Sequence, residues 1–134
     1  ILKKGTYSKL KPTLDDLNEI GLGLNYLKNL SPYNHIQAII VRNSKVVKKE
    51  TAKGTKKMIE NVFRNKNTNG ILIKFPKKKQ DLRADLPTIG YDTLKDCKKA
   101  NLKGIVLKSK ENIFLDQKKS IHFANKNKIF IHVL

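Results

Sequence analysis

What the 134 residues lack narrows the chemistry. One cysteine, Cys97, leaves no internal disulfide and no cysteine-based zinc site. A thiol among lysines on an expected helix reads as a bystander, and a reducing, cytoplasmic setting fits it. The three histidines, His35, His122 and His132, include no pair at zinc-ligand spacing. No serine–histidine–acid arrangement can be assembled from the sequence. Gly21 and Gly23 fall inside a helical pattern with no lysine behind them to serve a phosphate, so no phosphate-binding loop is present. No apolar run approaches the roughly eighteen residues of a membrane span. Aromatic residues are 7% of the chain. No aromatic RNA-recognition motif occurs, and the lysines are spread over every element, which argues against a nucleic-acid module.

What is abundant is lysine. Twenty-nine Lys and Arg against 11 Asp and Glu give a net charge of +18, yet arginine occurs only at positions 42, 64 and 83. A charge of that size asks for an anionic partner: nucleic acid, an anionic membrane surface or a phosphorylated substrate. Richness in Lys, Asn and Ile is also what an AT-rich genome produces without selection for binding. The length fits one domain with a real core. Because the chain begins Ile1-Leu2-Lys3, it reads as part of a longer protein, with residues 1–12 an interdomain linker and 13–134 the domain.

Hydrophobic periodicity lays out the elements. A helix is expected over about 14–30, capped by Thr13 with Asp16 three residues on and stopped by Pro32. Its apolar stripe would be Leu14, Leu17, Ile20, Leu24, Leu27 and Leu30. Residues 36–47 read as a hairpin turning at Asn43-Ser44. A helix follows with Met58, Ile59, Val62 and Phe63 as its stripe, then a strand from Gly70. A helix capped by Asp92 comes next. Strands at "GIVLKS" and "NIFLD", expected to pair with each other around Glu111-Asn112, lead to a helix capped by Asp116. "IFIHV" is the last strand. Strands alternating with helices, plus hairpins, imply an α/β fold: a single layered domain with a mixed β-sheet flanked by helices.

The longest irregular segment, about 76–90, follows a buried strand and precedes a helix, where open α/β sheets place binding sites. It lies within "KFPKKKQDLRADLPTIG", residues 74–90. Asp81 and Asp85 are four apart, and two converging carboxylates without histidine or cysteine suit a hard cation such as magnesium. Arg83 offers a bidentate fork for a phosphate, and Lys74 and Lys77 offer point charges. That set could polarise a phosphoryl group. Equally, Asp-x-Arg-x-Asp describes an exposed ion-pair network worth about 1 kcal/mol or less.

The run Lys74-x-x-Lys77-x-x-Gln80-Asp81-x-Arg83-x-Asp85-Leu86-Pro87-x-x-Gly90 resembles the hallmark segment of the UDP-2,3-diacylglucosamine pyrophosphatase family, LpxI. The lead-in and first helix, the hairpin "QAIIVRNSKVVKKE", the later "LKGIVLKSKENIFLDQ" and the terminal "IFIHVL" resemble that family's linker and C-terminal domain in order. The resemblance implies a cytoplasmic hydrolase of lipid A biosynthesis in Gram-negative bacteria. Such an enzyme cleaves UDP-2,3-diacylglucosamine to UMP and 2,3-diacylglucosamine 1-phosphate with a divalent metal, usually magnesium. An N-terminal nucleotide-fold domain would be its partner. On this reading Asp81 and Asp85 hold the metal or orient water, and Arg83, Lys74 and Lys77 neutralise the pyrophosphate. Gln80 orients a carboxylate or water, and Thr55 and Thr88 contact substrate. Peripheral contact with the anionic inner membrane and a homo-oligomer are further expectations. Two departures stand out. Lys53-Gly54-Thr55-Lys56 replaces an acidic Glu-Gly-Thr-Asp turn, and Asn34-His35-Ile36-Gln37 replaces Asp-x-Gly-Gln. A catalytically silent domain that binds only nucleotide or lipid headgroup is the alternative these substitutions leave open.

Overall fold

The computed structural model describes residues 2–31, 34–76 and 87–134. Eight strands and four helices alternate among them: β1 (Gly5–Thr6), α1 (Leu14–Lys28), β2 (Ala38–Arg42), β3 (Lys45–Lys49), α2 (Thr55–Glu60), β4 (Ile71–Lys74), β5 (Thr88–Ile89), α3 (Tyr91–Lys99), β6 (Gly104–Leu107), β7 (Ile113–Phe114), α4 (Gln117–Lys126) and β8 (Phe130–Val133). Six strands form one sheet in the order β1-β8-β6-β4-β2-β3. β4, β6 and β8 run parallel, while β1, β2 and β3 add antiparallel pairings at the two sides. This is the mixed-sheet α/β domain that the alternation of strand and helix patterns implies.

Both faces of the central strands are covered, so these strands are mostly apolar, as two-sided burial requires, with Arg42, Lys74 and His132 towards their ends. α1 packs on one face, over Ile39, Val41, Ile71, Ile73, Val106 and Phe130. α2, α3 and α4 cover the other, where Ile40, Leu72, Ile105, Leu107 and Ile131 meet Met58, Leu94, Cys97 and Ala124. Cys97 is buried, and burial pushes its thiol pKa far up, in keeping with an inert side chain.

α1 begins where expected. The Thr13 side chain accepts from the Asp16 amide at 3.1 Å, and the Asp16 carboxylate accepts from the Thr13 amide at 2.9 Å, a closed capping box. Its stripe is displaced, however. Leu14 is 81% exposed and Leu17 42%, and close packing starts at Ile20 and Gly23. Gly23 is at the contact because an added Cβ would lie 2.5 Å from Ile73 Cδ1 and 2.8 Å from Val41 Cγ2. The hairpin turns at Asn43-Ser44 as read, with φ of 52° and 59°, the left-handed pair of a type I′ turn.

Three other expectations are corrected, and a fourth holds in part. Phe63 does not join the α2 stripe. That helix ends at Glu60, and Phe63 is 82% exposed. α3 is capped by Gly90, with Asp92 in its first turn. Asp116 is the N-cap of α4, as expected, but in a left-handed conformation (φ 49°): its side chain makes no cap bond, and its carbonyl receives the Ser120 amide. β7 pairs in parallel with β5, not with β6, in a separate two-stranded ribbon. Within residues 2–12, Gly5–Thr6 form edge strand β1 beside β8, with the Thr6 hydroxyl 2.8 Å from His132 Nδ1.

Candidate functional site

β4, β6 and β8 end on one edge of the sheet. Because β2 is antiparallel to β4 and β3 to β2, the start of β2 and the end of β3 lie on that edge too. The register draws one row across it. The Glu50 amide bonds the Ala38 carbonyl at 2.9 Å, Ala38 pairs with Lys74, Lys74 with Leu107, and Leu107 with Val133. Residues in register share a face. Lys74 therefore points to the side of α2, α3 and α4, with Leu107 and Val133. Its ammonium reaches the Thr88 carbonyl at 3.5 Å. Segment 74–90 thus leaves the sheet at Lys74, and its far end returns within reach of the same residue.

Thr55, the first residue of α2, belongs to this edge as well. Its hydroxyl donates to the Glu50 carboxylate, and Glu50 lies two strands from Lys74, about 10 Å at the usual strand spacing. Glu50 was passed over in the sequence as the tail of a hairpin. The signal lay in the hairpin itself, which must deliver the residue after β3 to the edge where β4 ends. The lysines of the altered turn differ in their surroundings. Lys53 is exposed, whereas Lys56 Nζ sits 3.2 Å from Asp96 of α3 and 3.6 Å from Glu60. The hydrogen bond and charge of Asp96 raise the Lys56 pKa. Lys56 thereby ties α2 to α3.

On the α1 face the same edge is hollow. A cleft of about 620 Å³ is walled by Leu24 of α1, Phe75 after β4 and Leu134 after β8, with Lys3, Lys4, Lys108 and Lys110 around it. Lys108 lies over the Phe75 ring, 5.6 Å from its centroid, and pairs with Glu111 at 2.6 Å. The Lys110 amide bonds the Leu2 carbonyl at 3.0 Å, which holds the neighbouring Lys3 and Lys4 at one wall.

Of the expected site residues, the structure brings Lys74 and Thr88 into contact and puts Thr55 on the same edge. Lys77, Gln80, Asp81, Arg83 and Asp85 lie outside the described residues. Among the described residues, no group of three or more His, Cys, Asp or Glu side chains is placed to hold a metal ion. His132 is bonded to Thr6 rather than aimed at a site, and burial lowers its pKa. No helix among the described residues is long and apolar enough to cross a membrane.

Comparison with known proteins bears on the same residues. The family described as the LpxI C-terminal domain matches residues 3–132. The UDP-2,3-diacylglucosamine pyrophosphatase LpxI of Caulobacter vibrioides is 28% identical over 138 residues, covering 97% of this chain and 49% of the relative. The chain thus spans about half the length of that protein. The family match takes in Glu50, Thr55, Lys74, Thr88 and Leu107 of the carboxyl edge: the chain belongs to the LpxI C-terminal domain family.

Proposed function

We propose that this chain is the C-terminal, catalytic half of a pyrophosphatase. It would cleave UDP-2,3-diacylglucosamine with water to UMP and 2,3-diacylglucosamine 1-phosphate, in lipid A biosynthesis. The observation that carries the reading is the junction of Lys74 and Thr88 at the carboxyl edge, at the two ends of a segment that holds Asp81, Arg83 and Asp85. The relative's name supplies the substrate.

Lys74, Lys77 and Arg83 neutralise the diphosphate, and Arg83 grips two of its oxygens at once. The Thr88 and Thr55 hydroxyls donate to substrate oxygens. Gln80 orients a carboxylate or the attacking water. Asp81 and Asp85 supply hard oxygen donors with no nitrogen or sulfur donor beside them, a set suited to magnesium, which needs only one or two protein carboxylates. Magnesium, when bound, adds positive charge that polarises the phosphoryl group. The other half of the site comes from an N-terminal domain. The protein works in the cytoplasm, against the inner-membrane surface where the substrate resides.

The test is UMP release from UDP-2,3-diacylglucosamine with magnesium, by the longer protein containing this chain and by its Asp85→Ala variant. Release should fall on the order of 10³-fold in the variant, as for removal of a transition-state charge partner. A folded protein that releases no UMP would shift the reading to a binding domain.

A further inference from the structure

We infer that Asn112 is a positioning residue of the proposed site: its side chain clamps the β5–β7 ribbon to the end of β6 and so holds Thr88 beside Lys74. The inference rests on the function proposed above and adds a residue that acts through Thr88 rather than on substrate. Asn112 is 6% exposed, and the two polar atoms of its side chain meet different fates. Oδ1 accepts from the Lys108 amide at 2.9 Å. A backbone amide only donates, so the atom facing it is the oxygen, and the side chain cannot be turned end for end. Nδ2 is buried and has no hydrogen-bond partner among the described residues. An unmatched buried donor destabilises a fold by about as much as a matched pair supports it. Leucine, of nearly the same shape, would forgo the Lys108 bond and the unmatched donor together. Stability therefore gives asparagine little advantage here, and what the amide adds is direction.

That direction is needed because the ribbon stands apart from the six-stranded sheet. Ile89 and Phe114 pack against the core, but apolar contact is non-directional and does not set where the ribbon sits along the edge. The polar contacts do. Lys108 follows Leu107, which is in register with Lys74. Asn112 is tied to Lys108, and the next residue, Ile113, donates its amide to the Pro87 carbonyl at 2.9 Å and pairs with Thr88. The Thr88 carbonyl lies 3.5 Å from the Lys74 ammonium, which closes the ring. Lys108 and Glu111 also pair across the turn at 2.6 Å, but both are long, partly exposed side chains. The short, buried amide of Asn112, bonded to backbone, is the stiffer tie.

The test replaces Asn112 by leucine and by aspartate in the longer protein containing this chain. Asn112→Leu should lower kcat for UMP release from UDP-2,3-diacylglucosamine about 10- to 100-fold, the scale of a misplacement of about 1 Å, while KM and the urea unfolding midpoint move little. Asn112→Asp keeps the acceptor for the Lys108 amide and should restore most of kcat. In a Thr88→Val background, Asn112→Leu should cost far less than in the parent, because the hydroxyl that it positions is gone. Hydrogen exchange reads the clamp without catalysis. Asn112→Leu should speed exchange of the Lys108, Ile113 and Leu115 amides and leave Phe130 and Leu134, bonded within the main sheet, unchanged.

Equal costs of Asn112→Leu in the two backgrounds, or a loss of activity that only tracks loss of folded protein, would overturn the proposal. Unchanged exchange at Ile113 and Leu115 would overturn it too, since the ribbon would then be held without Asn112. A parent that releases no UMP would sink the activity alone, and the exchange result would still decide the clamp.

Discussion

At the scale of single residues, the two glycines of α1 separate what a sequence can and cannot disclose. Both fall inside a helical pattern, where glycine costs up to about 1 kcal/mol relative to alanine. Gly21 has nothing within 4 Å of an added Cβ, whereas Gly23 would press its Cβ onto Ile73 and Val41. Gly21→Ala should therefore stabilise the chain by about 0.5–1 kcal/mol. Gly23→Ala should destabilise it by about 1–2 kcal/mol, because overpacking exceeds the helical gain. Urea unfolding midpoints at constant m-value would read both, and equal signs would refute the tight α1–sheet contact. Thr13 and Asp16 were legible, since a capping box is written in four consecutive residues. Glu50 was not, because its meaning depends on Ala38 and Lys74, which are remote in sequence.

At the scale of elements, α1 is fixed at its start by more than its cap. Lys103 Nζ lies 2.5 Å from Asp16 Oδ1, tying the first turn to the residue just before β6. Burial works to raise the Asp16 pKa. The hydrogen bonds from Lys103 and Thr13 outweigh it, and the pKa stands below its ordinary 3.8. A carboxyl whose folded pKa is depressed contributes stability that is fully present above the unfolded pKa and is lost as pH falls through the folded one. Asp16→Asn should thus cost about 1–3 kcal/mol at pH 7. The gap from the parent should narrow below pH 3.8 as the parent's carboxylate also becomes neutral. A gap constant from pH 7 to pH 2.5 would mean that the ion pair contributes nothing. The elements themselves were mostly legible, their limits less so. Periodicity says which residues share a stripe, and it put Leu14, Leu17 and Phe63 on stripes that the packing does not reach. Asp92 looks like a cap, yet Gly90 takes that position, whereas Asp116 does stand at the cap of α4, with a left-handed backbone and no side-chain cap bond. β7 was paired with the wrong strand because adjacency in sequence favours β6, while the actual partner, β5, lies 25 residues earlier.

For the whole molecule, the alternation of strand and helix patterns sufficed for the α/β class, and the motif sufficed for the family. The cleft was invisible in the sequence, since its walls come from Lys3 and Lys4, α1 and the residues just after β4, β6 and β8. The net charge of +18 was visible at once, and it has a consequence for stability apart from any partner. Like charges brought together by folding repel over distances comparable to the Debye length, which shrinks from roughly 30 Å at 0.01 M salt to about 3 Å at 1 M. Salt also screens exposed pairs such as Lys57–Glu60 and Lys95–Asp92, at 3.7 and 3.4 Å, but each is worth about 1 kcal/mol or less. The Lys103–Asp16 pair is sheltered by the burial of Asp16 and loses little. Relief of repulsion should win, so added sodium chloride should raise the melting temperature by several degrees, at about 4 °C per kcal/mol for a domain of this size. A melting temperature that falls with salt would show the short-range pairs outweighing the repulsion, and the lysines would then be arranged against their acids rather than spread at random over the surface.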